Sequence, residues 1–226
     1  MIDFIIFFFI VFRMAEAFKK SKDSSRYGLL KSAAKLFCKN GLDKTSTRDI
    51  AQEAKVNISM ISYHFGGKEG LYKQVLMDFA KNIEAGSTEI LDSFKKHEMT
   101  KDSFHKEMSA IIDHMIQTRI NHSEICTMLS RDKIEGMPLS QDVHEQIFYP
   151  LVLRFLDLMT RAQKKNIVRT DINPTLFFVL MTEGIFGFFE VAACKTRLAD
   201  HYVGLVSEPE KLKNQIVKIY LEGILL

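Results

Sequence analysis

Proline is scarce in this chain of 226 residues: there are four, and the first stands at Pro138. Sandwiches and barrels need turn punctuation every dozen residues or so, so the scarcity argues against an all-β architecture. Cysteine is scarcer still. Cys38, Cys126 and Cys194 lie far apart with no CxxC pair, which supports neither a disulfide framework nor a zinc knuckle and suits a reducing cytoplasm. Charge of one sign is lacking too, since 31 Lys+Arg against 28 Asp+Glu leave a net of +3. That is too small to name a partner. The remaining composition, 46% hydrophobic and 26% charged, is that of a folded globular chain rather than a disordered or fibrous one.

Signatures of catalysis are also missing. There is no GxSxG, and Gly66-Gly67-Lys68 lacks both the upstream Gly and the following Ser/Thr of a phosphate-binding loop. His105, His114 and His122 with Asp113 do not form a metal set: His114 and His122 are eight apart and no HExxH occurs. Neither an enzyme nor a metal or cofactor site is expected.

One apolar run stands at the front. Ile2 to Phe12 is interrupted only by Asp3. A membrane-spanning helix needs about 20 apolar residues, so this run is too short. A signal peptide places its basic region before the apolar stretch, whereas here Asp3 precedes and Arg13 follows. Residues 1–13 are expected to be a mis-assigned start or a disordered extension, with translation beginning at Met14. The alternative is a membrane-attached helical interaction protein that uses this run as its anchor.

The +3 hides an uneven distribution. Residues 14–76 carry a net of +6 and residues 77–226 a net of −3. A basic front joined to a mildly acidic remainder points to a nucleic-acid module fused to something else.

Helical periodicity fills that front. Ser24 or Ser25 can cap a helix with Leu30, Ala33, Ala34 and Phe37 on one face, ended by Gly41. Thr45-Ser46-Thr47 offers the next cap, with Asp49 three residues after Ser46 in the capping-box relation. Ile50, Ala51 and Ala54 line the inner side of that short helix. Lys55-Val56-Asn57 breaks it, and Asn57 can cap a third helix over about 58–64. This third helix is expected to turn Ile61 and Phe65 inward and leave Ser59, Ser62 and His64 outside. Gly66-Gly67 stops it, and Lys68 starts a longer helix through Leu71, Val75, Leu76 and Phe79. Two short helices about three residues apart, flanked by others, match a helix-turn-helix sized for a major groove about 12 Å wide.

The residues themselves carry a resemblance. Thr45-Ser46-Thr47-Arg48-Asp49-Ile50-Ala51, Val56-Asn57 and Tyr63-His64-Phe65-Gly66-Gly67-Lys68-Glu69-Gly70-Leu71-Tyr72 resemble the N-terminal domain of TetR-family transcriptional regulators. The fuller string from Tyr63 to Tyr72 is similar to the branch of that family related to the CecR regulator. Two departures stand out: Lys55 where the family usually has Gly, and Ser62 where a second aromatic is common. By this resemblance Thr47, Tyr63 and Lys68 contact phosphates, Lys68 aided by the amides at the start of its helix. Arg48 reaches a base or a phosphate. Asn57, Ile58, Ser59 and Met60 open the base-reading helix, where Ile58 and Met60 could pack on thymine methyls. Ser62 and His64 complete the candidate DNA-binding set, His64 as a structural or phosphate-facing residue. Tyr63 can also seal the small core.

From Ile83 onward only amphipathic helices follow. Phe104, Met108, Ile111, Ile112 and Met115 form one stripe, and Ile125, Met128 and Leu129 another before Gly136-Met137-Pro138 breaks the chain. Phe148, Leu151, Val152, Phe155, Leu156 and Met159 mark a long helix to about residue 165. Asn173-Pro174 then starts a stretch that is apolar on nearly every side apart from Glu183 and Glu190. Two Glu would be costly in lipid, so burial at a subunit interface, without stable membrane insertion, is the better account.

The expectation is an all-α chain. A helix-turn-helix domain over 14–76 precedes a helical effector-binding and dimerisation domain over 77–226. The resemblance implies a cytoplasmic, ligand-responsive repressor that binds double-stranded DNA at a palindromic operator. It implies a homodimer paired through helices near 143–165 and 174–197, and a small-molecule effector held among the helices between residues 80 and 165.

Overall fold

The computed structural model of the chain describes residues 24–94, 98–194, 197–201 and 203–225. The expectations for residues 1–13, and for the apolar run within them, lie outside the described residues. Those described are helical almost throughout, and the only β feature among them is an isolated antiparallel bridge between Val168 and Leu225. The helices are α1 (Ser24–Asn40), α2 (Thr47–Ala54), α3 (Ser59–Phe65), α4 (Lys68–Ser93), α5 (Lys101–Asn121) and α6 (Ser123–Ile134). After them come α7 (Gln141–Val143), α8 (Tyr149–Lys164), α9 (Pro174–Ala192), α10 (Arg197–Asp200), α11 (Val203–Val206) and α12 (Pro209–Leu221). They group into two compact units. Of the described residues, one holds those up to Asn82 with Thr127–Gln141, the other those of Ile83–Cys126 and from Asp142 onward.

In the first unit α1 packs on α2 and α3. Its core is Leu29, Ala33 and Phe37 from α1, Ile50 and Ala51 from α2, Ile61 from α3, and Leu71, Val75, Leu76 and Phe79 from α4. The inner face of α1 is thus centred on Leu29 rather than Leu30, which is only half-buried. Each fully buried Leu, Ile or Phe among them contributes about 1.5–3 kcal/mol. The unit also takes in the end of α6 and the turn after it. Tyr72 donates its hydroxyl to the Met128 carbonyl at 3.3 Å. Arg131 donates to the Cys38 carbonyl at the end of α1 and, more loosely, to the Phe37 carbonyl, which already accepts the Gly41 amide. The Asp132 carboxylate, 2% exposed, accepts the amides of Leu139 and Ser140 and so fixes the turn in which Gly136 and Met137 both hold positive φ.

The second unit is built round α5. Phe104, Met108, Ile112 and Ile116 are fully buried in a core shared with α8, α9 and α12, and α5 packs on α12 and α9. Arg154 of α8 bonds Asp92 at 2.7 Å and Thr88 Oγ1 at 3.0 Å. The long helix expected to end near residue 165 does so, with Lys165 as its C-cap. It starts earlier than the Phe148 periodicity suggests and is not α-helical throughout, because α7 runs into α8 through a π-helical turn over His144–Phe148. At the next boundary Asn173 accepts the Leu176 amide and Pro174 occupies the first turn of α9, where its missing N–H is not needed. Among the described helices α9 alone is long and apolar enough to cross a membrane. It carries Leu176, Val179 and Leu180 exposed on one side, with Glu183 and Glu190 exposed beside them.

Candidate nucleic-acid interface

Helix α2 begins where Ser46, in extended backbone, accepts the Asp49 amide while the Asp49 carboxylate accepts the Ser46 amide and hydroxyl. This reciprocal cap stabilises a helix start by about 1 kcal/mol. The hydrogen bonds from Ser46 hold the Asp49 carboxyl below the usual carboxylate range. Buried Thr45 fixes the entry by donating to the carbonyls of Gly41 and Leu36. Thr47 and Arg48 therefore sit on the first turn of α2, Thr47 half-buried and Arg48 exposed.

The turn between α2 and α3 rests on Lys55. Its φ of 57° and ψ of 40° are left-handed, and two amides fold back, Lys55 on Gln52 and Val56 on Ala51. A lysine holds the conformation that glycine adopts without strain. The turn is the expected one despite the substitution, and it leaves the Lys55 side chain exposed.

Asn57 then caps α3. Its Oδ1 accepts both the amide and the hydroxyl of Ser59, at 2.9 and 2.8 Å. Ile61 is buried and anchors the helix. On the outer side stand Asn57, Ile58, Ser59, Ser62 and Tyr63, all exposed, with Ile58 at 45% and Tyr63 at 79%. Met60 is half-buried. Such exposure of an aromatic ring on a short helix leaves it free to lie against a second surface. Tyr63 is too exposed to seal the core, the second role suggested for it, and Phe65, expected to turn inward, is half-buried under the Arg26 guanidinium, 5.5 Å from its ring centre.

His64 is a correction. Expected outside, it is half-buried, with Nε2 3.4 Å from Ser25 Oγ and its ring edge-on to Tyr63 at 4.9 Å. It joins α3 to the start of α1. Lys68 is half-buried as well and donates to the Leu42 carbonyl at 2.9 Å, which ties the start of α4 to the loop before α2. Two further donor positions remain on its ammonium.

Between these helices Gly66 and Gly67 take positive φ of 72° and 131°. Gly70 was part of the quoted motif, but its role is visible only in three dimensions. A Cβ built there would stand 1.8 Å from the Phe65 carbonyl oxygen, so only glycine lets α4 start against the end of α3. Thr47, Arg48, Asn57, Ile58, Ser59, Ser62 and Tyr63 thus fall on two adjacent short helices and the turn between them, while His64 and Lys68 hold those helices in place.

Comparison with known proteins follows the same division. The family described as bacterial regulatory proteins, tetR family, matches residues 29–75. YttP of Bacillus subtilis (strain 168), named as a probable HTH-type transcriptional regulator, is 28% identical over 111 residues, 49% of this chain and 51% of that protein. The chain therefore spans about half the length of that relative. The HTH-type transcriptional repressor KstR2 of Mycobacterium tuberculosis (strain ATCC 25618 / H37Rv) is 28% identical over 59% of this chain and 76% of its own length. The HTH-type transcriptional dual regulator CecR of Shigella flexneri is 24% identical over 90% of this chain and 92% of that protein. The fold is that of the solved structure of KstR2 from Mycobacterium tuberculosis, at a TM-score of 0.69 and 18% identity over 89% of this chain and 95% of that one.

Proposed function

Because the chain belongs to the TetR family of bacterial regulatory proteins, we propose that it is a ligand-responsive transcriptional repressor that binds double-stranded DNA as a homodimer. The observation that carries this is the outer face of α3. A buried Ile61 fixes the helix while Ile58, Ser59, Ser62 and Tyr63 face away from the protein, on a helix of seven residues short enough for a major groove.

In this reading residues 14–76 form the DNA-reading domain and residues 77–226 the effector-binding and dimerisation domain. Arg48 and Thr47 approach the duplex from the first turn of α2. Asn57, Ile58, Ser59 and Met60 enter the groove, and Ser62 and Tyr63 lie along the phosphates. Lys68 reaches the backbone with the donor positions its bond to the Leu42 carbonyl does not use, and His64 positions α3 against α1. One such helix reads too few base pairs for useful specificity, so a two-fold pair on a palindromic operator is required. Helices near 143–165 and 174–197 supply the pairing, and the exposed Leu176, Val179 and Leu180 of α9 supply the apolar surface it needs. A small effector bound in the second domain weakens operator binding by favouring a conformer that DNA does not, and DNA weakens the effector by the same factor.

The relatives are transcriptional regulators and repressors by name, which favours this reading over an enzyme and over a membrane-attached interaction protein. A cytoplasmic location accords with DNA as the partner. Gel-shift titrations of DNA flanking the gene, repeated across salt, test it. Affinity should fall linearly on a log–log plot against salt, as counterion release requires, and be lost in Arg48→Ala and Tyr63→Ala with the dimer intact. Unchanged affinity in both variants would sink the assignment.

A further inference from the structure

Helix α3 runs Ser59-Met60-Ile61-Ser62-Tyr63-His64-Phe65 and holds no Lys, Arg, Gln, Asp or Glu. It lacks the side chains that read guanine through paired donors or cytosine through a carboxylate. Asn57, the amide just before it, is committed to the helix start. Both lone pairs of its Oδ1 are taken, one by the Ser59 amide at 2.9 Å and one by the Ser59 hydroxyl at 2.8 Å. Asparagine reads adenine by accepting from N6 with that oxygen while its NH2 group donates to N7. The cap therefore closes the bidentate mode. Ser59 uses its only hydroxyl proton in the same bond and is left as an acceptor.

What this end of α3 presents instead is carbon. Of the aliphatic side chains from Val56 to Ile61 only Ile58 is exposed; Val56 and Met60 are half-buried and Ile61 is buried. Isoleucine is among the residue types most often found inside. In the major groove one base edge offers it an apolar partner, the C5 methyl of thymine. Over the edge of a guanine or a cytosine the same side chain would take water from groups it cannot bond, which is unfavourable. Attraction and desolvation thus select the same base.

We propose that Ile58 reads thymine through its C5 methyl, so that each operator half-site carries a T·A pair under the start of α3 that is recognised by apolar contact. This rests on the reading of α3 as the base-reading helix, and adds to it the base selected and the residue that selects it. The competing role for Ile58 is a spacer beside the sugar–phosphate backbone, indifferent to sequence.

Deletion of single methyl groups from the DNA separates the two roles. The full-length protein selects binders from duplexes with a randomised centre of about 25 base pairs, enough for two half-sites, and the bound duplexes are sequenced. Each thymine common to the selected half-sites is then replaced in turn by deoxyuridine. Deoxyuridine pairs with adenine and keeps the O4 acceptor and the minor-groove edge, so only the methyl is lost. At one thymine of each half-site the replacement should weaken wild-type binding about fourfold. Ile58→Ala should bind the thymine duplex more weakly by a similar factor, bind the thymine and deoxyuridine duplexes equally, and keep the wild-type circular-dichroism melt. At the same position 5-methyldeoxycytidine should be bound more tightly than deoxycytidine by the wild type and no more tightly by Ile58→Ala. Should Ile58→Ala fail to fold, Ile58→Ser takes its place with the same expectations, serine being favoured at a helix start.

Indifference to deoxyuridine at every selected thymine overturns the proposal, and so does a selected half-site without thymine. A deoxyuridine penalty that Ile58→Ala retains in full also overturns it, because the methyl then meets another residue. In each of these cases sequence-specific selection still stands and the regulator reading survives. A wild-type protein that enriches no sequence from the pool ends both.

Discussion

The α-carbon of Gly70 rests on the carbonyl of Phe65 so closely that a methyl group there would stand 1.8 Å from the oxygen. The obstacle is backbone, which cannot swing aside as a side chain tip can. Gly70→Ala would therefore have to push α4 away from α3. The change should destabilise the protein by about 3 kcal/mol or more, in the range of severe backbone strain, even though alanine is the better helix former at an unstrained site. DNA affinity should fall with it, because the outer face of α3 is then re-aimed. Denaturant titration and gel shift together check this, and a variant of wild-type stability would show that the two helices can part freely.

Lys55 gives a prediction of opposite sign. It holds a left-handed conformation with φ of 57°, which costs an L-residue about 1–2 kcal/mol. Glycine removes that strain and loses part of the gain to its freer unfolded chain. Lys55→Gly should stabilise the protein by about 0.5 kcal/mol, and Lys55→Val should destabilise it by more than about 1 kcal/mol, since branching at Cβ makes positive φ worse. Chemical denaturation of the three proteins measures both differences, and a less stable glycine variant would contradict the account.

Helix α3 separates stability from recognition in neighbouring residues. Ile61 is 1% exposed and Tyr63 79% exposed. Ile61→Ala removes buried methylenes and should cost about 2–4 kcal/mol. Tyr63→Ala should change stability by no more than about 0.5 kcal/mol while reducing operator affinity at least tenfold. Circular-dichroism melts and gel shifts on the same preparations would show the split, and an equal loss of stability in both variants would place Tyr63 in the core.

What was legible in the chain follows from how local the determinants are. Ser46 and Asp49 lie three residues apart, Asn173 caps its own helix, and Gly66 ends α3 by its own conformation. Each signal acts within one turn of backbone, so spacing alone reveals it. The outer face of α3 could be assigned for the same reason, because one buried residue, Ile61, sets the rotation of a seven-residue helix. The half-burial of His64 was not legible, since its partner Ser25 is 39 residues earlier. Nor was the contact of Arg131 with the end of α1, across more than 90 residues. The π-turn escaped for a different reason. Tyr149 bonds the carbonyl of His144, five residues back, and a pattern of apolar positions does not distinguish that spacing from an ordinary turn over so short a stretch. Arg119, in the last turn of α5 and buried, is the sharpest case. An arginine near a helix end reads as a solvated charge or a dipole partner, and only the packing of the second unit shows that it is buried.

The same unit makes stability depend on pH through His114. Its ring packs on Gly86, where a Cβ would stand 2.7 Å from Cε1, and its Nε2 is buried with no partner. Burial pushes its pKa below the ordinary 6.5 despite a hydrogen bond with the Ile83 backbone and the nearby Asp113 carboxylate. His122 is lowered in the same way by burial. Between the depressed folded value and 6.5 the unfolded chain binds more protons than the folded one, so stability rises with pH in that window. The contribution is complete above 6.5 and is lost as pH falls through the folded value. Burial raises the Asp113 carboxyl, which acts in the opposite sense from 3.8 upward, so the comparison has to be made against His114→Gln with Asp113 in place. Denaturant midpoints of the wild type should fall from pH 7.5 to 5.5 more steeply than those of His114→Gln. Parallel curves for the two proteins would mean that the His114 ring takes up its proton in the folded state as easily as in water.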